Sequence, residues 1–273
     1  MKKITAVVCS WNAIQSLEKC LKSLIANKVK VIVVDANSSD GSREIATKYA
    51  DQVLTDPGKG LAKARNIGIE KVTTEYVLNW GADNILPEKQ IEIMLNCLEQ
   101  NKYAGVSAKT YVQSEKKNYL SESLNLYKQA RYYSGEKVVI GTPSLFKTSL
   151  LKSNRFDENM TWSDDGDLCT RLAKKKCKFA ISDAFVYEYG YENLISIFNR
   201  WKSYGKSDSE IFSKYSKEWT FTRKLNSIFY PLLNEFLKPI SKLSFFNKLK
   251  VSPFLIFITL TRYYYWIRYS IFK

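Results

Sequence analysis

The chain has 273 residues, 45% of them hydrophobic, enough to bury a sizeable core. It contains no histidine, which excludes a histidine general base, a histidine-containing triad and any histidine-ligated metal. With 42 Lys and Arg against 27 Asp and Glu it carries a net charge of +15, so an anionic partner is expected: nucleic acid, a phosphorylated substrate or an acidic lipid surface. The cysteines Cys9, Cys20, Cys97, Cys169 and Cys177 form no CxxC pair and are expected to be reduced thiols in a cytoplasmic protein. Met1-Lys-Lys leads straight into ITAVVC, and no export signal is expected there.

Apolar, β-branched runs at Ile4 to Cys9 and Val29 to Asp35, with a similar apolar run at Tyr76 to Trp80, suit strands buried on both faces. Helical patterns lie between them. Leu17, Cys20, Leu21 and Leu24 share one face of a first helix, Ser42 to Tyr49 form a second and Leu61 to Lys71 a third. Strand then helix, repeated, predicts a parallel α/β sheet whose ligands bind beyond the carboxyl ends of the strands. Asp35 and Asp83 stand at two such ends. After Pro87 a helix is expected to about Gln100, then an irregular stretch, then a compact pattern resuming to about Ser213.

Taken in order, AVVCSWN, VIVVDANSSDGS, GLAKARNIGIEKVTTEYVLNWGADN and FDENMTWSDDGDLCTRL resemble the motifs of family 2 glycosyltransferases with the GT-A fold, over roughly residues 3 to 206. The resemblance implies a Rossmann-like, mostly parallel sheet flanked by helices, a nucleoside-diphosphate sugar as donor with a UDP-sugar favoured, and Mg²⁺ or Mn²⁺ as cofactor. It also implies an inverting reaction. Asn12 and Asp35 are then expected to bind substrate. On residue type alone, Asp35 and Asp40 serve equally to make the turn. Arg65 and Asn66 offer either a charged, hydrogen-bonding fork for the nucleotide or a solvated helical face.

The family pattern places aspartates at the positions of Gly81 and Asp83, and this sequence keeps the second. Asp83 is implied as both substrate-binding and metal-binding, since Mg²⁺ commonly needs only one or two protein carboxylates beside substrate phosphates. A turn made by Asp83 and Asn84 is the plain alternative. In WSDDGD the resemblance implies Asp165 as general base, with Asp164 the next candidate and Asp167 a capping or orienting residue, whereas acidic residues opening a helix also serve the helix itself. Glu188 stands where many relatives carry a metal-binding histidine, and a carboxylate suits the same ions; a surface glutamate fits as well. Arg200-Trp201 is similar to the end of the QxxRW motif, with Ile197 in place of its Gln. That pair implies a diphosphate or acceptor contact at Arg200 and a sugar platform at Trp201, or else a core tryptophan.

From Lys217 the chain turns basic and aromatic. Residues 216 to 273 hold ten Lys and Arg against Glu218 and Glu235, a net +8. The final apolar run is interrupted by Arg262 and Arg268, so an interfacial helix is expected rather than a span, or else a helix packed on protein. The expected organisation is a catalytic domain over 1–215 and a helical membrane-association region over 216–273. The expected function is transfer of a sugar to a hydroxyl of a lipid-linked or cell-surface glycan at the cytoplasmic face of a membrane, where the protein is peripheral, without specific nucleic-acid binding. Two rivals are a non-catalytic protein of the same fold and a basic nucleic-acid-binding module.

Overall fold

A computed structural model describes residues 3–58, 60–114, 118–190 and 193–271. The chain runs β1 (Ile4–Ser10), α1 (Ile14–Ala26), β2 (Lys30–Asp35), α2 (Ser42–Tyr49), β3 (Gln52–Thr55), α3 (Leu61–Lys71), β4 (Tyr76–Gly81), β5 (Asn84–Ile85) and α4 (Gln90–Gln100). It continues through β6 (Gly105–Gln113), α5 (Tyr119–Arg131), β7 (Gly135–Lys137), β8 (Ser144–Lys147), α6 (Thr148–Ser153), α7 (Asp164–Lys174) and β9 (Phe179–Tyr189). The remainder is helical: α8 (Leu194–Tyr215), α9 (Phe221–Ile228), a π-helical turn at Leu232–Leu237, α10 (Lys238–Ser241) and α11 (Phe245–Ile271).

Packing divides the chain into two units, residues 1–110 with 134–189 and residues 111–133 with 190–273. The boundary expected at residue 216 rests on charge and composition. Packing instead groups α8, which precedes the basic segment, with α5 and α11.

In the first unit β3, β2, β1 and β4 lie side by side and parallel. In β1, β2 and β4 the β-branched and apolar side chains are buried on both faces, as a sheet covered by helices on two sides requires, while those of the edge strand β3 are only partly covered. One face packs against α1 and α4 through residues such as Leu17, Leu21 and Met94, the other against α3 and α7 through Ala62, Leu168 and Leu172. Gly68 lets α3 approach the sheet, since a Cβ there would stand 2.4 Å from the Val7 side chain. Antiparallel pairing then widens the sheet, β8 between β4 and β6, and β9 against β5 and β7. The sheet is thus the mostly parallel, helix-flanked α/β layer expected.

The second unit packs α5, α8 and α11 around Tyr127, Ile197, Trp201, Phe254 and Ile258. Asn118 caps α5 in a reciprocal box with Ser121. A glutamate is buried inside. Glu235 meets Arg262 at 2.5 Å and Arg131 at 3.1 Å, accepts from Trp201 Nε1 at 3.0 Å, and is bonded by the Tyr127 hydroxyl.

Candidate active site

Register brings the strand ends to one edge. Ser10 pairs with Asp35 across β1 and β2, and Cys9 with Gly81 across β1 and β4. The loops that follow are tied together by short side chains. The Ser38 hydroxyl donates to Asp35 Oδ1 at 2.6 Å and accepts from the Asn12 amide at 2.9 Å, while Asn12 Oδ1 accepts from the Ser39 amide at 3.0 Å. Asp35 is fully buried, with Arg43 3.6 Å away. Its carboxylate therefore holds its own turn in this structure, and Asn12 is the exposed partner of the two. Asp40 accepts from Ser42 and from the Ile14 amide, joining the starts of α1 and α2.

The stretch after β4 folds back on itself. Asn84 Oδ1 accepts from the Gly81 amide at 3.2 Å, and the Asn84 carbonyl accepts from Trp80 Nε1 at 3.0 Å. A Cβ on Gly81 would stand 2.6 Å from Asp83 Oδ1 and 2.8 Å from Asn84 Oδ1. The space left by the missing first aspartate is thus filled by Asp83 and Asn84. Asp83 itself is part-exposed. Glu188 pairs with Asn84 in the β5–β9 ladder, on the face it shares with the core residues Ala184 and Val186, and is only 3% exposed. It is not the surface residue that its type alone allows. Among the described residues no cluster of three or more Cys, Asp or Glu is placed to hold a metal. The donor chemistry nonetheless fits a hard cation: Asp83 is a part-exposed carboxylate residue, and a bound diphosphate supplies further oxygens.

The acidic triplet opens α7. Asp164 and Asp165 both face Arg65 of α3, whose Nη1 lies 2.5 Å from Asp164 Oδ2 and 2.9 Å from Asp165 Oδ1, and whose Nη2 donates to the Thr142 hydroxyl at 2.5 Å. Asp167 is buried and accepts from Arg171 Nε at 2.7 Å, an ion pair one turn along α7 that orients Arg171 rather than caps the helix. Arg65 is buried and lies over the Phe156 ring, so neither reading made from its residue type describes it: its guanidinium is turned to the two carboxylates. Asn66 likewise bonds the Phe156 backbone in both directions, at 2.9 and 3.0 Å, a clamp rather than a nucleotide fork.

Asp164 and Asp165 are not equivalent. The Asp164 side chain is 8% exposed and that of Asp165 26%. Burial pushes the Asp165 carboxyl up, Arg65 opposes, Asp164 adds to the rise, and the result is about 6. Cys9, under the same cluster, is held as a neutral thiol because burial pushes it up to about 12. Sequence reading missed Thr142, whose hydroxyl and backbone N–H serve Arg65 and Asp165 respectively. The Gly-Thr-Pro turn at 141–143 was the available signal.

Arg200 and Trp201 belong to the second unit. Arg200 Nε donates to the Tyr204 hydroxyl at 2.8 Å. Trp201 is 1% exposed, edge-on to Tyr127, Tyr204 and Phe254. It offers no face to a sugar, and of its two readings the core tryptophan is the one the structure shows.

Residues 5–158 match the sequence model described as Glycosyl transferase family 2. A cholesterol galactosyltransferase of Borreliella burgdorferi is 26% identical over 118 residues, covering 40% of this chain and 33% of that protein; the chain spans about a third or less of several curated relatives. Among solved structures, the mannosyltransferase PcManGT of Pyrobaculum calidifontis, in complex with GDP-Man and Mn²⁺, superposes with a TM-score of 0.67 at 16% identity, covering 98% of this chain and 86% of its own. TarS of S. aureus (residues 1–349) with UDP-GlcNAc gives 0.58 at 15% identity, over 99% and 90%. At such identities the likeness is one of fold, the GT-A fold.

Proposed function

Because the chain belongs to glycosyl transferase family 2, we propose that its strand edge binds a nucleoside-diphosphate sugar, a UDP-sugar in the first instance, and that Asp165 is the base for an inverting transfer. The observation that carries this reading is the Arg65–Asp164–Asp165 cluster. Both carboxylates pair with Arg65, but Asp164 is enclosed while Asp165 stays reachable with a carboxyl raised to about 6, the condition for a base that works near neutrality. Asp165 takes the proton from an acceptor hydroxyl as that oxygen attacks the anomeric carbon. The bond from that carbon to the diphosphate breaks, and its electron pair leaves with the diphosphate. Asp164 and Thr142 keep Arg65 in place beneath the base.

Asp83 would hold a Mg²⁺ or Mn²⁺ together with the donor's phosphates; a cation there offsets charge on the leaving group. Its part exposure supports that role, as does the Mn²⁺ in the mannosyltransferase complex. Enclosed Glu188 would orient the turn beside it. Asn12, at the exposed end of the Ser38–Ser39 link, is the substrate contact of the first loop. The acceptor is a lipid-linked or cell-surface glycan or a related lipid hydroxyl, a class supported by the name of the Borreliella relative, and the enzyme works peripherally at the cytoplasmic face of a membrane.

Titration of a panel of nucleoside-diphosphate sugars, with Mn²⁺ and with chelator, tests the donor site. One donor should bind in a metal-dependent way, and Asp83→Ala should abolish that binding. With the donor identified, Asp165→Asn should keep its affinity and lower turnover by about 10²- to 10⁴-fold. Unchanged turnover in Asp165→Asn would remove the base assignment.

A further inference from the structure

We propose that the outward face of α11 lies on an anionic lipid bilayer. This deepens the reading above, on which it rests for an acceptor held at a membrane. Leu249, Pro253, Ile256, Leu260, Tyr264 and Ile267 recur at three- and four-residue spacing along one side of the helix, and all are exposed, Leu249 by 64% and Leu260 by 62%. Phe245 and Phe246, still more exposed, stand at its start. The opposite side carries Val251, Phe254, Leu255 and Ile258 into the core of the second unit. A surface helix normally puts polar residues opposite its core stripe; this one is apolar on both sides. Such a face needs an apolar cover.

The positive charge of residues 216–273 selects the cover. Lys217, Arg223, Lys238, Lys242 and Arg268 are exposed, while of the two acids in this segment Glu235 is buried against Arg131 and Arg262 and only Glu218 reaches solvent. Lipid phosphates are attracted to so basic a segment, whereas a second copy would bring the same positive charge. Geometry agrees. From Phe245 to Ile267 the stripe follows the helix axis for about 33 Å, so the axis would lie in the interface plane, with Tyr264 at headgroup level. No helix among the described residues is long and apolar enough to cross a membrane.

The test is sedimentation of the purified chain with vesicles of phosphatidylcholine alone and of phosphatidylcholine mixed equally with phosphatidylglycerol. Pelleting with the anionic vesicles only, weakened by salt, is expected. Ile256→Ser with Leu260→Ser should lower partition by about tenfold per side chain removed, and Lys242→Glu with Arg268→Glu should also lower it. Both variants should titrate with the nucleotide-sugar panel as the parent does, which separates loss of this surface from failure of the donor site. Equal pelleting with both vesicle types, no pelleting with either, or undiminished partition of the serine variant would overturn the proposal. So would a concentration-dependent dimer that the serine variant abolishes, since the stripe would then seat a second copy.

Discussion

Arg65 decides how the two leading acids of α7 differ. It pairs more closely with the enclosed Asp164 and leaves Asp165 part-exposed, and its charge opposes the rise that burial imposes on Asp165. Asp165 accepts a proton only when ionised, so turnover should fall as pH drops through about 6. Arg65→Met removes the opposing charge, and the acid limb of kcat/KM against pH should then move to higher pH; a limb that stays in place would detach either Arg65 or Asp165 from the chemistry. The other telling residue is Gly81. A side chain there would displace the Asp83 carboxylate, so Gly81→Ala should weaken metal-dependent donor binding by about tenfold or more, the scale of one lost charge-assisted contact, readable by titration. Both acids of the α7 pair stood out in the sequence because they are adjacent. Arg65 lies 99 residues from Asp164, and no local pattern announces a contact at that separation.

At the level of elements, β1, β2, β4, α1, α2 and α3 were legible, because doubly buried strands and one-sided helices each leave a period in the sequence. The antiparallel strands β6, β8 and β9 were not, since strand direction depends on partners far along the chain. Helix α5 fell in the stretch expected to be irregular, although Asn118 and the spacing of Leu120, Leu124 and Tyr127 mark its start and its buried face. The place of α8 depends on one close approach. A Cβ on Gly205 would stand 2.4 Å from the Arg262 carbonyl oxygen and 2.9 Å from Tyr265 Cβ, atoms of α11 that cannot swing aside. Gly205→Ala gains helix propensity, yet it should destabilise the protein by about 1–3 kcal/mol through overpacking, measured by urea denaturation.

Across the whole molecule the charge asymmetry was legible, but not where the second core begins, because the glutamate at its centre reads in sequence as one more surface charge. Glu235 is fully buried; burial pushes its carboxyl up, and Arg131 and Arg262 more than reverse this and hold it below the usual range. Truncating it would take one partner from the buried Arg262, which keeps Asp208, and from the half-buried Arg131, a loss of about 3 kcal/mol. The hydrophobic clusters do not mix between the units: those on the two faces of the sheet belong to the first, and that around Trp201 to the second. Glu235→Ala should therefore release amide protection in α5, α8 and α11 while β1, β2 and β4 keep theirs, as read by hydrogen-exchange mass spectrometry. Equal loss in the strands would mean that the two cores open as one cooperative unit, so that a substitution deep in the helical unit would empty the donor site as well.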